Sequence, residues 1–181
     1  MSLFWALLAA GLAAQGPAGS GGCALTRPGQ CGDTNRLMSA PGTQRAIRDF
    51  LGGRKADLLY RGHDVADQVI DVLGGPPDDP VRIGPYWRFT ACRAHSCTEK
   101  GALVLNPAGT IVAIAVLHGA CALSRPGNDC FAHDTLTLYT RHAGPDVVRD
   151  LRGWAAAQVQ GEGGVAGLRR ATLDAVEVVP L

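Results

Sequence analysis

The sequence predicts an α+β fold, an antiparallel sheet of about five strands with helices packed against it. Three observations predict it. Up to Leu73 the apolar residues recur at helical spacing; after the breaker Gly74-Gly75-Pro76-Pro77 they fall into short β-branched or aromatic runs divided by turn residues. The 181 residues, 46% of them hydrophobic, suffice for one domain-sized unit with its own core.

The chain opens on an apolar run from Ser2 to about Ala14, shorter than the roughly 20 residues a bilayer crossing needs. It reads as the core of a signal peptide covering residues 1–20, although no Lys or Arg precedes it; small residues suited to cleavage follow at Gly11 with Ala13 or at Ala18 with Ser20. No membrane span is expected. A lipid anchor through Cys23 is disfavoured, because Ser20 stands where an aliphatic residue is wanted. Residues 21–181 then form a single exported domain.

Export decides how six cysteines are read, since thiols persist as disulfides outside the cytosol. Fifteen pairings are available in principle. The cysteines nevertheless fall as three close pairs, Cys23 with Cys31, Cys92 with Cys97 and Cys121 with Cys130, and neighbour pairing is expected. Each bridge pins a local loop and leaves stability mainly to the core.

From Gly16 to Ser39 the chain is rich in Gly, Pro, Ser and Arg, which predicts an irregular arm. A helix follows over Thr43 to Leu51 with Ala46, Ile47, Phe50 and Leu51 on one stripe, stopped by Gly52-Gly53. The next runs from Asp64 to Leu73: Asp64 caps it, with Asp67 three residues on, and Val65, Ala66, Val69, Ile70 and Leu73 make its apolar face. Strands are expected over Val81–Ile83, Tyr86–Ala91, Ala102–Asn106, Thr110–Leu117 and Thr135–Thr140 as a meander. Asn106-Pro107-Ala108-Gly109 is a tight turn and makes its flanking strands a hairpin. Pro126-Gly127-Asn128 turns the loop between Cys121 and Cys130. Pro145 and Asp146 open a last helix to about Val159, and two readings stand for the tail from Ala175 to Leu181, an edge strand or partial disorder.

The stretch with chemical content is Cys92-Arg93-Ala94-His95-Ser96-Cys97. A bridge between Cys92 and Cys97 closes a very short ring, removing loop freedom before any partner arrives and so lowering the entropy cost of binding. His95, between the small residues Ala94 and Ser96, is with Arg93 the large side chain near its end. Imidazole suits carboxylates and carbonyls in a cleft.

These residues carry a resemblance. The segment from Tyr86 to about Arg141 is similar to the periplasmic inhibitors of vertebrate-type lysozyme, the Ivy family, whose hallmark is a disulfide-closed Cys-Lys-Pro-His-Asp-Cys loop between two strands. Cys92, His95 and Cys97 match at the same spacing, and Arg93 supplies the basic residue; Ala94 replaces proline and Ser96 replaces aspartate. The first change loosens the backbone and the second removes an acceptor. The resemblance implies an Ivy-like fold, periplasmic location and inhibition of a c-type lysozyme, with the loop plugging its cleft and His95 bonded to the two carboxylates that cut the glycan. No paired acidic constellation, phosphate loop or Ser-x-His arrangement stands out, which argues against an enzyme, and no cofactor is expected; a homodimer is compatible with this reading.

Competing readings are a structural staple on an envelope domain and a thiol-disulfide oxidoreductase. The latter usually uses Cys-x-x-Cys, and five positions separate Cys92 from Cys97. His63, His95, His118, His133 and His142 show no metal-ligand spacing, so no metal is expected, and His118 beside Gly119 reads as structural. Trp87 and Trp154 read as core anchors. With 17 Lys and Arg against 16 Asp and Glu the net charge is +1, so no chain-wide field selects nucleic acid or an anionic membrane. The charged residues around the loop are Arg88, Arg93, Glu99 and Lys100.

Overall fold

In the computed structural model, the described residues are 22–119, 133–161 and 172–181. The expected signal peptide and the Cys121–Cys130 pairing lie outside them. The arm is tied by a Cys23–Cys31 disulfide, Cα atoms 4.5 Å apart. It is less irregular than expected, because residues Thr34–Ser39 form a short helix, α1. Asp33 caps α1, its carboxylate accepting from the Arg36 amide at 2.8 Å, and Leu37 is fully buried. Six residues are too few for a period to show in the sequence.

Helix α2 spans Thr43–Leu51 and buries Ile47, Phe50 and Leu51. Glycines bracket it: Gly42 at φ 84° and Gly52 at φ 64° occupy left-handed conformations that other residues rarely adopt. Helix α3, Val65–Leu73, starts where Asp64 accepts from the Ala66 amide at 2.9 Å. Val72 is fully buried while Ile70 is only partly so, a slight rotation from the expected stripe. Asp67 pairs with Arg48 of α2 at 2.5 Å, joining the two helices. Between them, β1 (Lys55–Ala56) and β2 (His63–Asp64) form a two-stranded ribbon. Buried Gln68 of α3 secures it: its carbonyl accepts from the Leu59 and Tyr60 amides, and its amide donates to the Ala56 and His63 carbonyls. A side-chain amide fully satisfied in this way holds irregular backbone in place without a water shell.

The main sheet runs in the order β3 (Val81–Ile83), β4 (Tyr86–Arg93), β5 (Ser96–Leu105), β6 (Ile111–Gly119), β7 (His133–Thr140) and β8 (Thr172–Pro180). The first five strands are antiparallel neighbours, as expected. The tail adds a sixth at the edge, and it departs from the all-antiparallel expectation: β8 lies parallel to β7, with helix α4 (Pro145–Gly161) between the two strands in sequence. A helical crossover returns the chain to the same end of the sheet and so sets parallel pairing.

Two apolar layers sandwich the sheet. Phe89, Leu103, Ile114 and Val116 pack with α1, α2 and α3 on one face; Val104, Leu117, Leu136 and Leu138 pack with Val147, Leu151 and Trp154 of α4 on the other. Because both faces are covered, Ala102–Leu105 and Ala113–Val116 are fully buried without alternation. Trp154 is a core anchor; Trp87 is only half-buried, with the Arg82 guanidinium 5.0 Å from its ring centroid.

Candidate functional site

Strands β4 and β5 meet at a two-residue turn, Ala94-His95, and carry Cys92 and Cys97 at its base. The pairing is regular from Trp87 opposite Leu105 to Cys92 opposite Lys100, then jumps so that Arg93 faces Ser96. Cys97, Thr98 and Glu99 therefore bulge from β5. The bulge brings Cys97 to within 4.7 Å of Cys92, Cα to Cα, where the two are bonded. Cys92 is buried and Cys97 exposed, so the bridge links the core to the outer edge of the hairpin.

His95 occupies the apex. Its backbone is left-handed, φ 64°, a conformation disfavoured for a residue with a Cβ and one that histidine adopts more readily than bulky or β-branched residues. Its side chain is exposed and forms no hydrogen bond or ion pair with the described residues. Ala94 beside it is also exposed, and the Ser96 hydroxyl lies 3.4 Å from that of Thr98. The tip therefore presents one functional group.

Arg93 behaves differently from the expectation of a second large side chain at the end of the finger. It folds back, donating to the Glu99 carboxylate at 2.5 Å and lying 3.5 Å from Asp71 of α3. Its guanidinium also sits 4.8 Å from the Tyr60 ring centroid, and the Tyr60 hydroxyl donates to Asp71 at 2.9 Å. The hydrogen bond to Asp71 raises the Tyr60 pKa, and that to Glu99 holds the guanidinium above its ordinary value. Arg88 is likewise neutralised by Asp150 of α4, and Lys100 is buried. The basic residues that the sequence sets around the loop thus serve as internal ties.

A further contact seats the loop. Gly75, just past α3, lies so close to β4 that a Cβ there would stand 2.0 Å from the Cys92 carbonyl oxygen and 2.7 Å from the Ala94 nitrogen. The segment after it runs along β4: the Cys92 amide donates to the Pro76 carbonyl and the Asp78 amide to the Thr90 carbonyl, each at 3.0 Å. In the sequence Gly75 reads only as part of a breaker. Its second role depends on an approach between residues 17 to 19 positions apart in the chain.

The remaining histidines are dispersed. His63 stacks near Tyr60, ring centroids 5.3 Å apart; His118 is buried; His142 is exposed; and the side chain of His133 falls outside the described residues. Among the described residues, no three of His, Cys, Asp and Glu gather as a metal site, and no helix is long and apolar enough to cross a membrane. No family model, curated protein or solved structure matches the chain.

Proposed function

We propose that this protein is an exported, periplasmic inhibitor of c-type lysozyme that inserts the Cys92–Cys97 hairpin into the enzyme's cleft. The observation that carries the reading is His95, exposed and without a partner among the described residues, at the apex of a hairpin stapled at its base and braced from behind by Arg93. Retaining glycosidases place two carboxyls roughly 5–5.5 Å apart, one protonated as acid and one ionised. An imidazole entering between them donates to the anion and bonds to the acid, occupying proton donor and nucleophile together. Small neighbours at Ala94 and Ser96 let the ring reach the bottom of a cleft without steric conflict.

Bracing matters because a tip held in its bound shape loses little entropy on docking. Steering by charge contributes little, since Arg88 and Arg93 are already paired within the chain. Affinity then rests on the fit of the tip.

The test is lysis of bacterial cell walls by a vertebrate-type lysozyme in the presence of the purified chain. Wild type should inhibit, and His95→Ala should raise the inhibition constant by ~30-fold or more, the consequence of losing a central contact worth about 2 kcal/mol. Absence of inhibition by wild type, or undiminished inhibition by the variant, refutes the proposal.

A further inference from the structure

Between the β1–β2 ribbon with its connecting loop and strands β6, β7 and β8 lies a cleft of about 780 Å³. That volume lies within the range of small-molecule sites, roughly 300–1,000 Å³. His118, Thr137 and Tyr139 line it from β6 and β7.

His118 is 7% exposed. One ring nitrogen, Nε2, lies 3.0 Å from the Thr137 hydroxyl; the other, Nδ1, is buried with no well-formed hydrogen bond to the described residues, a looser backbone interaction between the ring and Gly119 aside. A buried polar atom left without a bond is costly, which makes it a candidate contact for a ligand. Tyr139, 3% exposed, likewise has a hydroxyl with no hydrogen bond to the described residues. Burial lowers the His118 pKa, the Gly119 backbone and the Glu177 and Glu99 carboxylates opposing it, and burial raises that of Tyr139. Both groups are therefore neutral near pH 7, and each can donate or accept.

The charges around the cleft cancel: Arg54, Lys55 and Arg61 against Asp57, Glu99 and Glu177. Several are already engaged. Arg54 donates to the Leu51 carbonyl at 2.6 Å, Glu99 accepts from Arg93, and Asp57 accepts from the Gly62 amide at 2.6 Å. Lys55 and Arg61 are exposed and make no ion pair with the described residues, but the exposed Glu177 carboxylate lines the same cleft, so the lining is no purely cationic clamp for an anion. Nor is there an open aromatic platform for a flat base, since the Tyr60 ring is already flanked by the Arg93 guanidinium and the His63 ring. What the cleft offers is a row of neutral hydrogen-bonding groups beside the apolar side chains of Leu58 and Val179. That combination suits a molecule with many hydroxyls and an apolar C–H face.

We propose that this cleft binds a neutral polyhydroxylated ligand, a mono- or disaccharide, through hydrogen bonds to His118 Nδ1 and the Tyr139 hydroxyl. The cleft shares Tyr60 and Glu99 with the brace of the hairpin, but its proposed contacts, His118 and Tyr139, lie outside that brace, so sugar binding is tested separately from lysozyme inhibition.

The full chain, labelled with ¹⁵N, is titrated with glucose, N-acetylglucosamine and cellobiose, and in parallel with inorganic phosphate and adenosine monophosphate. The imidazole nitrogen resonances are the readout. At least one sugar should shift the His118 Nδ1 signal saturably while phosphate and the nucleotide leave it unmoved, and Tyr139→Phe should weaken that sugar by about 2- to 12-fold, the worth of one hydrogen bond. Tyr139→Phe retains the buried ring and keeps the test clear of misfolding. The proposal is overturned if no sugar moves His118 up to its solubility limit, if phosphate or the nucleotide is the ligand that does, or if Tyr139→Phe binds sugar as well as wild type.

Discussion

Replacing Gly75 by alanine tests whether the hairpin is seated by the segment that follows α3. The added Cβ would stand 2.0 Å from the Cys92 carbonyl oxygen and 2.7 Å from the Ala94 nitrogen. Both are backbone atoms, so no side chain can swing aside; either β4 or the Gly75–Pro76 backbone must shift. Shifting it strains the Cys92 to Pro76 and Asp78 to Thr90 hydrogen bonds, both 3.0 Å. Overpacking of this kind costs about 1–3 kcal/mol. At 2–4 °C per kcal/mol for a domain of this size, the melting temperature should fall by about 2–12 °C. Gly53→Ala is the matched control, because a Cβ there meets nothing within 4 Å. Differential scanning calorimetry reads the stability, and lysozyme inhibition reads the loop. Gly75→Ala should lose both stability and potency with the disulfide intact, and Gly53→Ala should lose neither. A Gly75→Ala protein as stable and as potent as Gly53→Ala would refute the reasoning that the two backbones are in obligatory contact.

Three other outcomes are expected. Arg93→Lys keeps the charge but not the fork that reaches Glu99 and Asp71 together, so it should cost about 1 kcal/mol in urea denaturation; a double-mutant cycle with Glu99→Gln should show coupling of at least about 0.5 kcal/mol, and zero coupling would dismiss the brace. Changing Cys92 and Cys97 both to serine opens a ring with a sequence separation of 5, which should remove about 2 kcal/mol by chain entropy; unchanged inhibition by the folded double variant would show that the staple does not preorganise the tip. The lowered pKa of buried His118 means that the unfolded chain takes up its proton first as pH falls. Its contribution is therefore fully present above about pH 6.5 and lost as pH drops from there through the folded-state value, with a slope of up to ~1.4 kcal/mol per pH unit. Urea midpoints compared between wild type and His118→Gln should differ in slope across that window, and parallel profiles would contradict the burial argument.

Helices α2 and α3 were legible because their apolar spacing and glycine stops are local signals, and the first five strands of the main sheet, β3 to β7, because each run is β-branched or aromatic and ends at a turn. The pairings Cys23–Cys31 and Cys92–Cys97 were legible for a related reason, since residues so near in sequence are never far apart in space. α1 escaped because a six-residue helix capped by Asp33 carries less than two turns of pattern.

By itself, the sequence determined the class of fold, the order of α2, α3, the first five strands of the main sheet and α4, and the presence of a histidine inside a short cysteine ring. Only the tertiary structure decided what that ring presents. Arg93 and His95 are equivalent candidates in a list of residues, yet one is drawn back by Asp71, Glu99 and Tyr60 while the other is left alone at the apex. Those partners lie up to 33 positions from Arg93 in the chain and meet it only because α3 packs across β4 and β5. The seat at Gly75, the parallel placement of β8 and the cleft beneath the ribbon have the same origin: each depends on which surfaces come together when the two apolar layers close on the sheet. Local sequence sets what a segment prefers to be, and packing between distant segments sets which of its side chains remain free to act.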